Sequence, residues 1–229
     1  MKSINEQARI NWVSDKLKGI ARGNSILDAG AGEQQFRQFC DNLVYTSQDF
    51  AAYTPTELVT GLQVDGWDYG KLDIISDITN IPRPNESFDV ILCTEVFEHI
   101  PDPLSALKEF SRLLKPGGKL ILTAPFASMT HFAPYHYSTG FSRFFYEKHL
   151  PLNNFKILEI VPNGNYFSSM LQETSRIPYV AHDYQLPKPN RIQLLALKIV
   201  EKMLNKYVSI PNRSSELMCL GWHVVAVKN

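Results

Sequence analysis

The sequence has no excess charge of either sign, because 23 Lys and Arg balance 23 Asp and Glu among its 229 residues. A chain without net charge has no long-range field to gather polyanions, so charge gives no reason to expect nucleic acid as a partner. No unbroken apolar run reaches the roughly 18 residues that predict a membrane span, and the polar start MKSINEQARINWVSDKLKG does not resemble a signal peptide. These absences predict a soluble, unprocessed, cytoplasmic protein.

Cysteine is scarce, with only Cys40, Cys93 and Cys219, and no two of them have CxxC spacing. An odd number of scattered cysteines predicts reduced thiols rather than a disulfide framework or a zinc site. We therefore expect no metal. With 44% hydrophobic residues the chain can bury one sizeable core, which favours a single domain over residues 1–229.

From Asn24 onward, short β-rich runs alternate with helical patterns, which predicts stacked layers of strands and helices, an α/β fold. A helix is predicted over Gln34 to Leu43, where apolar residues recur at helical spacing. Another helix is predicted from Pro103, capped by Asp102, to the stop at Lys115-Pro-Gly-Gly118. The predicted strands are Ser25 to Ala29, Val44 to Ser47, Leu72 to Ser76, Phe88 to Thr94, Lys119 to Ala124, Phe155 to Val161 and Leu220 to Val227.

The predicted domain has four parts: an N-terminal helix in 1–23, a core in 24–161, an insert in 162–213, and the last strand in 214–229. The insert is rich in Pro and Asn and contains one amphipathic helix, which predicts a lid or an oligomer surface. A homodimer stays open on this pattern. The apolar stripe of that helix consists of Ile192, Leu195, Ala196, Ile199, Met203 and Tyr207.

The turn Asp28-Ala-Gly-Ala-Gly-Glu-Gln34 follows a predicted strand, which is where α/β sheets bind ligands. Gly30 and Gly32 let a ligand approach the backbone closely. A dinucleotide would require glycine where Gln35 stands, and its pyrophosphate would meet the carboxylate of Glu33 at the helix start. A cofactor without phosphates and with cationic centres, such as S-adenosylmethionine, fits better. A tight turn without any ligand is the alternative.

Two further acids lie at the ends of predicted strands. Asp49, just past the second strand, has two oxygens that can accept both hydroxyls of a ribose. Asp77 closes the third strand and can accept the amine of adenine, while Phe50 and Ile78 pack on the ring. Each acid alone is equally interpretable as a turn or cap residue. Their recurrence at three successive strand ends favours a binding site.

The chain resembles the class I methyltransferases that depend on S-adenosylmethionine, of the methyltransferase type 11-like branch, over roughly residues 24–125. The resemblance depends on four motifs in order: ILDAGAG at 26–32, DITNIP at 77–82, SFDVILCTEVFEHIPDP at 87–103 and LKPGGKLILT at 114–123. It implies a Rossmann-like, mostly parallel seven-stranded sheet with the last strand antiparallel and helices on both faces. Here a helical insert precedes the last strand.

The resemblance also implies which residues bind S-adenosylmethionine. Asp28, Gly30 and Gly32 would line its methionine and ribose, and Thr94 and Glu95 would face the methionine end. Asp49 would hold the diol, and Asp77 with Ile78 would hold adenine. Many family members have a third glycine where this chain has Gln34, whose longer side chain can contact the cofactor instead.

The candidate catalytic residues are His131 and His136, in the aromatic and histidine-rich segment after the fifth strand. A histidine there can remove the proton of an acceptor hydroxyl as the methyl group is transferred, although each can equally be a solvated loop residue. The resemblance also places Glu98 and His99 beside the active site. Because they lead into a helix, a structural capping role is equally plausible, so neither is predicted to be catalytic.

The predicted function is methyl transfer to a hydroxyl of a small molecule, such as a sugar, a glycan precursor or another metabolite. One alternative is an N- or C-methyltransferase of the same fold, which needs no strong base for a neutral amine. The other is a non-catalytic nucleotide-binding α/β protein. The sequence contains no motif that identifies the acceptor.

Overall fold

The computed structural model describes residues 4–54, 61–62 and 66–229. The chain divides into two compact units, one formed by residues 1–161 with 221–229 and the other by residues 162–220. In the described part of the chain, no helix has both the length and the apolar character needed to cross a membrane.

Seven strands form one sheet in the order β3-β2-β1-β4-β5-β7-β6. Strands β1 to β5 pair in parallel, whereas β7 runs antiparallel to β5. The predicted fold class, a mostly parallel sheet with an antiparallel last strand, is confirmed. The strands are β1 (Ser25–Ala29), β2 (Val44–Asp49), β3 (Ile74–Ile75), β4 (Phe88–Thr94), β5 (Leu114–Pro125), β6 (Phe155–Asn163) and β7 (Gly221–Lys228).

The central strands of the sheet are apolar on both faces, which is typical of parallel strands that helices cover on both sides. In β1 and β4, Ile26, Leu27, Ile91 and Leu92 are all fully buried. One core cluster joins the apolar side of the first helix, including Val13, to the strands. The helices are α1 (Ile4–Lys18), α2 (Pro103–Leu113), α3 (Arg143–Leu152), α4 (Tyr166–Asp183) and α5 (Arg191–Val208).

Helix α2 begins as the sequence predicts. The Asp102 side chain accepts hydrogen bonds from the backbone N–H groups of Leu104 and Ser105, and Pro103 occupies the first turn. An N-cap of this kind satisfies donors that the helix itself cannot. Residues 95–102, between β4 and the N-terminus of α2, contain part of the candidate site.

The helix predicted over Gln34 to Leu43 is wrong. The segment forms successive tight turns with a single 3₁₀ helix at Arg37–Phe39, in which Cys40 N–H donates to the carbonyl of Arg37 three residues back. The backbone of Gln34 is left-handed, with φ +56°, and an L-residue in that conformation cannot continue a right-handed helix. The apolar spacing is real, because Phe36 and Cys40 are buried.

Strand β3 is shorter than predicted, covering two residues instead of Leu72 to Ser76. The carboxylate of Asp73 accepts hydrogen bonds from the backbone N–H (2.9 Å) and hydroxyl (3.0 Å) of Ser47 in β2. The Asp73 side chain thus accepts from the Ser47 N–H, a donor that a longer β2–β3 ladder would use.

The unit of residues 162–220 contains two helices where the sequence predicts one. Helix α4 was missed because Pro178 lies inside it and proline usually marks a break. Asn165 caps this helix by accepting from Ser168 N–H. The predicted stripe on α5 is exposed, with Ile192 at 79% and Ile199 at 63%.

Candidate functional site

The candidate site lies at the carboxyl ends of the parallel strands, around β1 and its two neighbours. Strand β1 pairs with β2 on one side and with β4 on the other. The strand order therefore changes direction here, and ligands of α/β proteins bind in the crevice at such a switch point. Asp28 near the end of β1, Asp49 at the end of β2 and Thr94 at the end of β4 all lie at this edge.

The turn after β1 is fixed by main-chain hydrogen bonds to β2. The N–H groups of Gly30 and Ala31 both donate to the carbonyl of Gln48 at 2.9 Å, and the N–H of Gly32 donates to Asp49 Oδ2 at 2.9 Å. Gly30 has φ +73° and Gly32 has φ +52°, a region that glycine adopts without strain. The turn therefore brings the two predicted glycines beside one predicted acid.

Both glycines are also sites of close packing. A Cβ atom on Gly30 would lie 2.5 Å from a methyl carbon of Val96, and one on Gly32 would lie 2.8 Å from the Trp67 ring. Close approach to these protein side chains is thus one reason for glycine at each position. Their contact with a cofactor stays a prediction.

Gln34 occupies a backbone position that suits glycine, as its left-handed φ indicates. Its side-chain amide donates to the carbonyls of Tyr69 (2.8 Å) and Lys71 (3.0 Å), and its Oε1 accepts from Arg37 (2.9 Å). The side chain therefore ties the turn to residues 69–71. A direct contact of Gln34 with the cofactor stays a prediction.

Asp28 and Asp49 are both buried, with exposures of 2% and 6%. Burial raises the pKa of Asp28 to about 7, against a smaller lowering by the hydrogen bond from Tyr45 Oη at 2.6 Å. Burial also raises the pKa of Asp49, opposed by N–H donors including those of Gly32 and Ala51. No described residue pairs a cation with either acid, and buried acids of this kind make the edge favourable for a positively charged ligand.

The residues predicted for adenine lie at the ends of β2 and β3. Ile78 is buried, whereas Phe50 is 41% exposed and meets Tyr135 edge-on, with ring centroids 5.0 Å apart. Asp77 uses Oδ1 to accept from the N–H (2.8 Å) and hydroxyl (2.7 Å) of Thr79, as turn acids do. The structure thus gives Asp77 a local structural role beside its predicted binding role.

Thr94 and Glu95 lie where β4 ends, and Glu95 has a left-handed backbone with φ +53°. One Glu95 oxygen accepts from the Thr123 hydroxyl at 2.9 Å, and the other pairs with Arg9 at 3.0 Å. Glu95 is thus held between the sheet and helix α1. Unlike Asp28 and Asp49, it has a cation beside it.

The loop after β5 brings His131 and His136 together, with ring centroids 5.0 Å apart. His99 joins them at 4.6 Å from His131 and 6.0 Å from His136. The loop is held there because the N–H groups of Tyr137 (2.9 Å) and Ser138 (3.2 Å) donate to the carbonyl of Glu98. Three histidines thus form one cluster, called here the histidine cluster, around the segment that follows β4.

The surroundings of His99 and His136 favour neutral rings. Burial, and secondarily His131, lowers the pKa of His99 to about 4. The same two causes lower the pKa of His136, whose Nε2 lies 3.1 Å from Ser128 Oγ. A neutral imidazole can accept a proton, as a general base must.

The resemblance placed Glu98 and His99 beside the active site, but with a capping role equally plausible neither was predicted to be catalytic. Glu98 is 1% exposed, and its Oε1 lies 3.7 Å from His99 Nε2 and 3.9 Å from His131 Nε2. Its side chain faces the histidines and caps no helix. The available signal was a Glu-His pair after one strand and two histidines five positions apart after the next.

Aromatic side chains connect the histidine cluster to the turn after β1. Trp67 packs against Gly32 and meets Phe132 edge-on at 4.8 Å, and Phe132 lies 5.2 Å from His99. On the β2 side, Tyr135 contacts Phe50 and offers its carbonyl to His99 Nδ1 at 2.6 Å. Asp28 and Asp49, called here the acidic edge, and the histidine cluster are therefore neighbouring parts of one site.

A family model described as a methyltransferase domain matches residues 27–122. The ubiquinone biosynthesis O-methyltransferase of Pseudomonas aeruginosa (strain UCBPP-PA14) is 31% identical over 122 residues, which cover 50% of this chain and 49% of that protein. The enzyme of the same name from Vibrio atlanticus is 32% identical over 120 residues, covering 50% and 48%. The chain thus spans about half the length of these curated relatives.

Solved structures share the fold over nearly the whole chain. The YcgJ protein from Bacillus subtilis superposes with a TM-score of 0.55 at 14% identity, covering 96% of this chain and 97% of that one. Phosphoethanolamine N-methyltransferase 2 of Haemonchus contortus, in complex with S-adenosyl-L-methionine, gives 0.53 at 17% identity, covering 96% and 52%. At such identities the likeness concerns the fold alone.

Proposed function

The chain belongs to the class I methyltransferases that depend on S-adenosylmethionine through its domain at residues 27–122, and from this premise we propose that it methylates a hydroxyl group of a small molecule. The observation that supports a hydroxyl as the methyl acceptor is the histidine cluster, which lies beside the acidic edge. The curated relatives named above are O-methyltransferases, which agrees with this choice. Sugars, glycan precursors and other hydroxylated metabolites are the acceptor classes we propose.

The acidic edge fits the cofactor of this domain class. When bound, S-adenosylmethionine supplies a methyl group attached to a positively charged sulfur. Asp49, held by Gly32 and Ala51 N–H groups, would accept the ribose hydroxyls, and Asp28 would face the positive charges of the methionine part. Desolvated carboxylates favour a cation, since burial destabilises their charge until an opposite one arrives. Phe50 and Ile78 would provide apolar contacts for the base, next to Asp77.

The remaining task of the protein is to align the acceptor and to remove its proton. Transfer from sulfur is an in-line displacement, so orientation and exclusion of water supply much of the acceleration. An alcohol becomes a good nucleophile only as its proton leaves, and a positioned base contributes about 10²–10⁴-fold. We assign this role to His131 or His136. The hydrogen bonds from the N–H groups of Tyr137 and Ser138 to the Glu98 carbonyl hold their loop beside the segment that follows β4.

The first experiment measures cofactor binding and methyl transfer separately. Calorimetric titration of the full chain should give saturable binding of S-adenosylmethionine and S-adenosylhomocysteine and none of NAD. Mass spectrometry then follows transfer to matched pairs of acceptors that differ only in a hydroxyl or an amine. We expect the hydroxyl members to gain the mass of one methyl group.

Variants identify the proton acceptor. His131→Ala or His136→Ala should lower kcat by about 10²-fold or more while S-adenosylhomocysteine affinity stays at the wild-type level. His182→Asn, on an exposed histidine of the other unit, is the control and should change neither. Full activity in both cluster variants would remove the base assignment. Exclusive methylation of the amines would replace the proposed acceptor class, and absence of cofactor binding would overturn the whole proposal.

A further inference from the structure

The side chain of Glu98 is buried without the partners that a carboxylate normally has. It is 1% exposed, and among the residues that the structure describes its Oε2 atom has no hydrogen-bond partner. A buried ionised carboxylate is costly unless a cation or several donors compensate it. The positive charge of Arg9 in helix α1 also acts on Glu98, but its guanidinium is paired directly with Glu95 at 3.0 Å. The structure around Glu98 therefore calls for an additional cation or a retained proton.

Two histidines face this carboxylate, each with its Nε2 atom. His99 Nδ1 lies 2.6 Å from the Tyr135 carbonyl, and His131 Nδ1 lies 2.8 Å from the Met129 carbonyl. Because a carbonyl only accepts hydrogen bonds, each Nδ1 carries the proton, and each neutral ring then has its lone pair on Nε2. A carbonyl partner on the far nitrogen is how metal-binding histidines are usually oriented.

The separations between these atoms suit ligands of one ion better than hydrogen-bond partners. Glu98 Oε1 lies 3.7 Å from His99 Nε2 and 3.9 Å from His131 Nε2, too far for a hydrogen bond. One ligand atom from each of the three residues lies within 4.8 Å of the other two. Two ligands of a tetrahedral ion with bonds of about 2.0–2.1 Å are about 3.3 Å apart, so modest side-chain shifts would close the site.

We propose that Glu98, His99 and His131 bind one divalent first-row transition-metal ion. Two imidazoles and one carboxylate suit ions such as Zn²⁺, Mn²⁺, Fe²⁺ or Co²⁺ better than Mg²⁺, which prefers oxygen ligands. Three protein ligands leave at least one position open, as in catalytic rather than structural sites. The sequence led us to expect no metal because its scattered cysteines lack metal-ligand spacing, whereas the three ligands proposed here come from two segments more than thirty positions apart.

The open position gives the ion a use in the reaction. A hydroxyl oxygen bound to a divalent ion loses its proton more readily than a free one. In that arrangement His136, which is not one of the three ligands, would accept the proton. This consequence rests on the proposed function, whereas metal binding itself does not.

The test is metal binding by the full chain, without cofactor or acceptor. The protein is stripped with a chelator, dialysed, and titrated calorimetrically with Zn²⁺ and with Co²⁺; the absorption bands of Co²⁺ report the ligand set. We expect one ion per chain and absorption bands that indicate a low coordination number of the bound Co²⁺. The Tm should be higher with the metal, since a ligand that binds the folded state stabilises it.

Single-ligand variants show which residues hold the ion. Glu98→Gln and His131→Asn should each weaken Co²⁺ binding by about 100-fold or more, a larger loss than changes in the second shell cause. His182→Asn is again the control and should bind like wild type. Because His131 is less buried than Glu98, His131→Asn keeps the test valid if Glu98→Gln does not fold.

Distinct outcomes separate this inference from the proposed function. No saturable binding of either ion, or binding that survives both ligand variants, would overturn the metal site even if hydroxyl methylation were observed. Binding of one ion that both variants abolish supports the site even if only amines were methylated, in which case the proposed acceptor class fails alone.

Discussion

Asp49 and Glu98 are both buried acids at the carboxyl edge of the sheet, yet their surroundings are opposite. Asp49 accepts backbone N–H groups from Gly32 at 2.9 Å and Ala51 at 3.1 Å. Glu98 faces two imidazole nitrogens and has an oxygen for which the described part of the chain provides no hydrogen-bond partner. The main chain therefore stabilises a charge on Asp49, whereas a charge on Glu98 depends on something that binds.

This difference separates the two halves of the site. The half around Asp49 is preorganised by backbone donors and needs no metal to hold its carboxylate in position. The half around Glu98 is built from side chains on two segments, residues 97–99 and the loop after β5, which backbone N–H groups join only at the Glu98 carbonyl. We therefore expect cofactor affinity to depend on the first half, and metal affinity and acceptor chemistry on the second.

The largest expected effect tests the turn after β1, which contains Gly30 and in which the Gly32 N–H donates to Asp49. Gly30→Ala introduces a Cβ 2.5 Å from Val96 at φ +73°, which should lower the free energy of unfolding by about 2–4 kcal/mol. The control is Gly23→Ala, which has φ +85° but no atom within 4 Å of the new Cβ, and we expect it to cost about 1 kcal/mol. Urea denaturation measures both.

A second substitution separates crowding from backbone strain at Gly30. Adding Val96→Ala to Gly30→Ala should recover part of the loss, because it removes the methyl groups that the new Cβ meets. Equal costs for Gly30→Ala and Gly23→Ala would mean that the left-handed backbone alone matters, and that contact with Val96 does not position the turn.

The next effect in size is on cofactor affinity. Asp49→Ala should weaken S-adenosylhomocysteine binding by about 1.5–3 kcal/mol, or about 10- to 150-fold, because it removes a charged acceptor of hydrogen bonds. Glu98→Gln should leave this affinity unchanged. Calorimetric titration of the metal-free proteins measures both.

The exposed acid Asp15 of α1, paired only with Lys18, provides the control for lost surface charge. Asp15→Ala should bind like wild type, since such pairs contribute little. If Glu98→Gln lowered the affinity as much as Asp49→Ala, the division of the site into two halves would be wrong.

The sequence predicts the Asp49 half better than the Glu98 half for a physical reason. Asp28, Gly30 and Gly32 form one short motif, and Asp49 follows the neighbouring strand, so parallel pairing brings them to one edge. The cap of α2 is predictable on the same local grounds, whereas the mostly parallel sheet with an antiparallel last strand is what the resemblance implied. Gln34 shows the limit, because its left-handed backbone begins a series of tight turns in a segment whose apolar spacing was correct but which forms no α-helix.

The Glu98 half depends on where a loop folds back, which no local pattern records. His131 and His136 were predicted from their position after β5, but their meeting with His99 requires the hydrogen bonds of Tyr137 and Ser138 to the Glu98 carbonyl. Helix α4 was missed because Pro178, which usually marks a break, lies inside a helix that Asn165 caps.

The smallest expected effect concerns Asp28, which has an intermediate position between Asp49 and Glu98 because its donor is the Tyr45 hydroxyl, at 2.6 Å. Its pKa rises from 3.8 to about 7 on folding, mainly through burial. Between these values the folded state binds more protons than the unfolded state, so the contribution of Asp28 to stability falls as pH rises through this window and is constant above it.

Tyr45→Phe removes a hydrogen bond that favours the ionised form of Asp28, so its cost should be larger where Asp28 is ionised. We expect a loss of about 1 kcal/mol in the free energy of unfolding at pH 8 and a smaller one at pH 5, measured by urea denaturation without ligands. Tyr184→Phe, on a half-exposed ring of the other unit, should cost little at either pH. A cost for Tyr45→Phe that is the same at both pH values would mean that the hydroxyl serves packing and not the charge of Asp28. In that case Asp28 would resemble Glu98, as an acid whose charge the protein leaves for a ligand to balance.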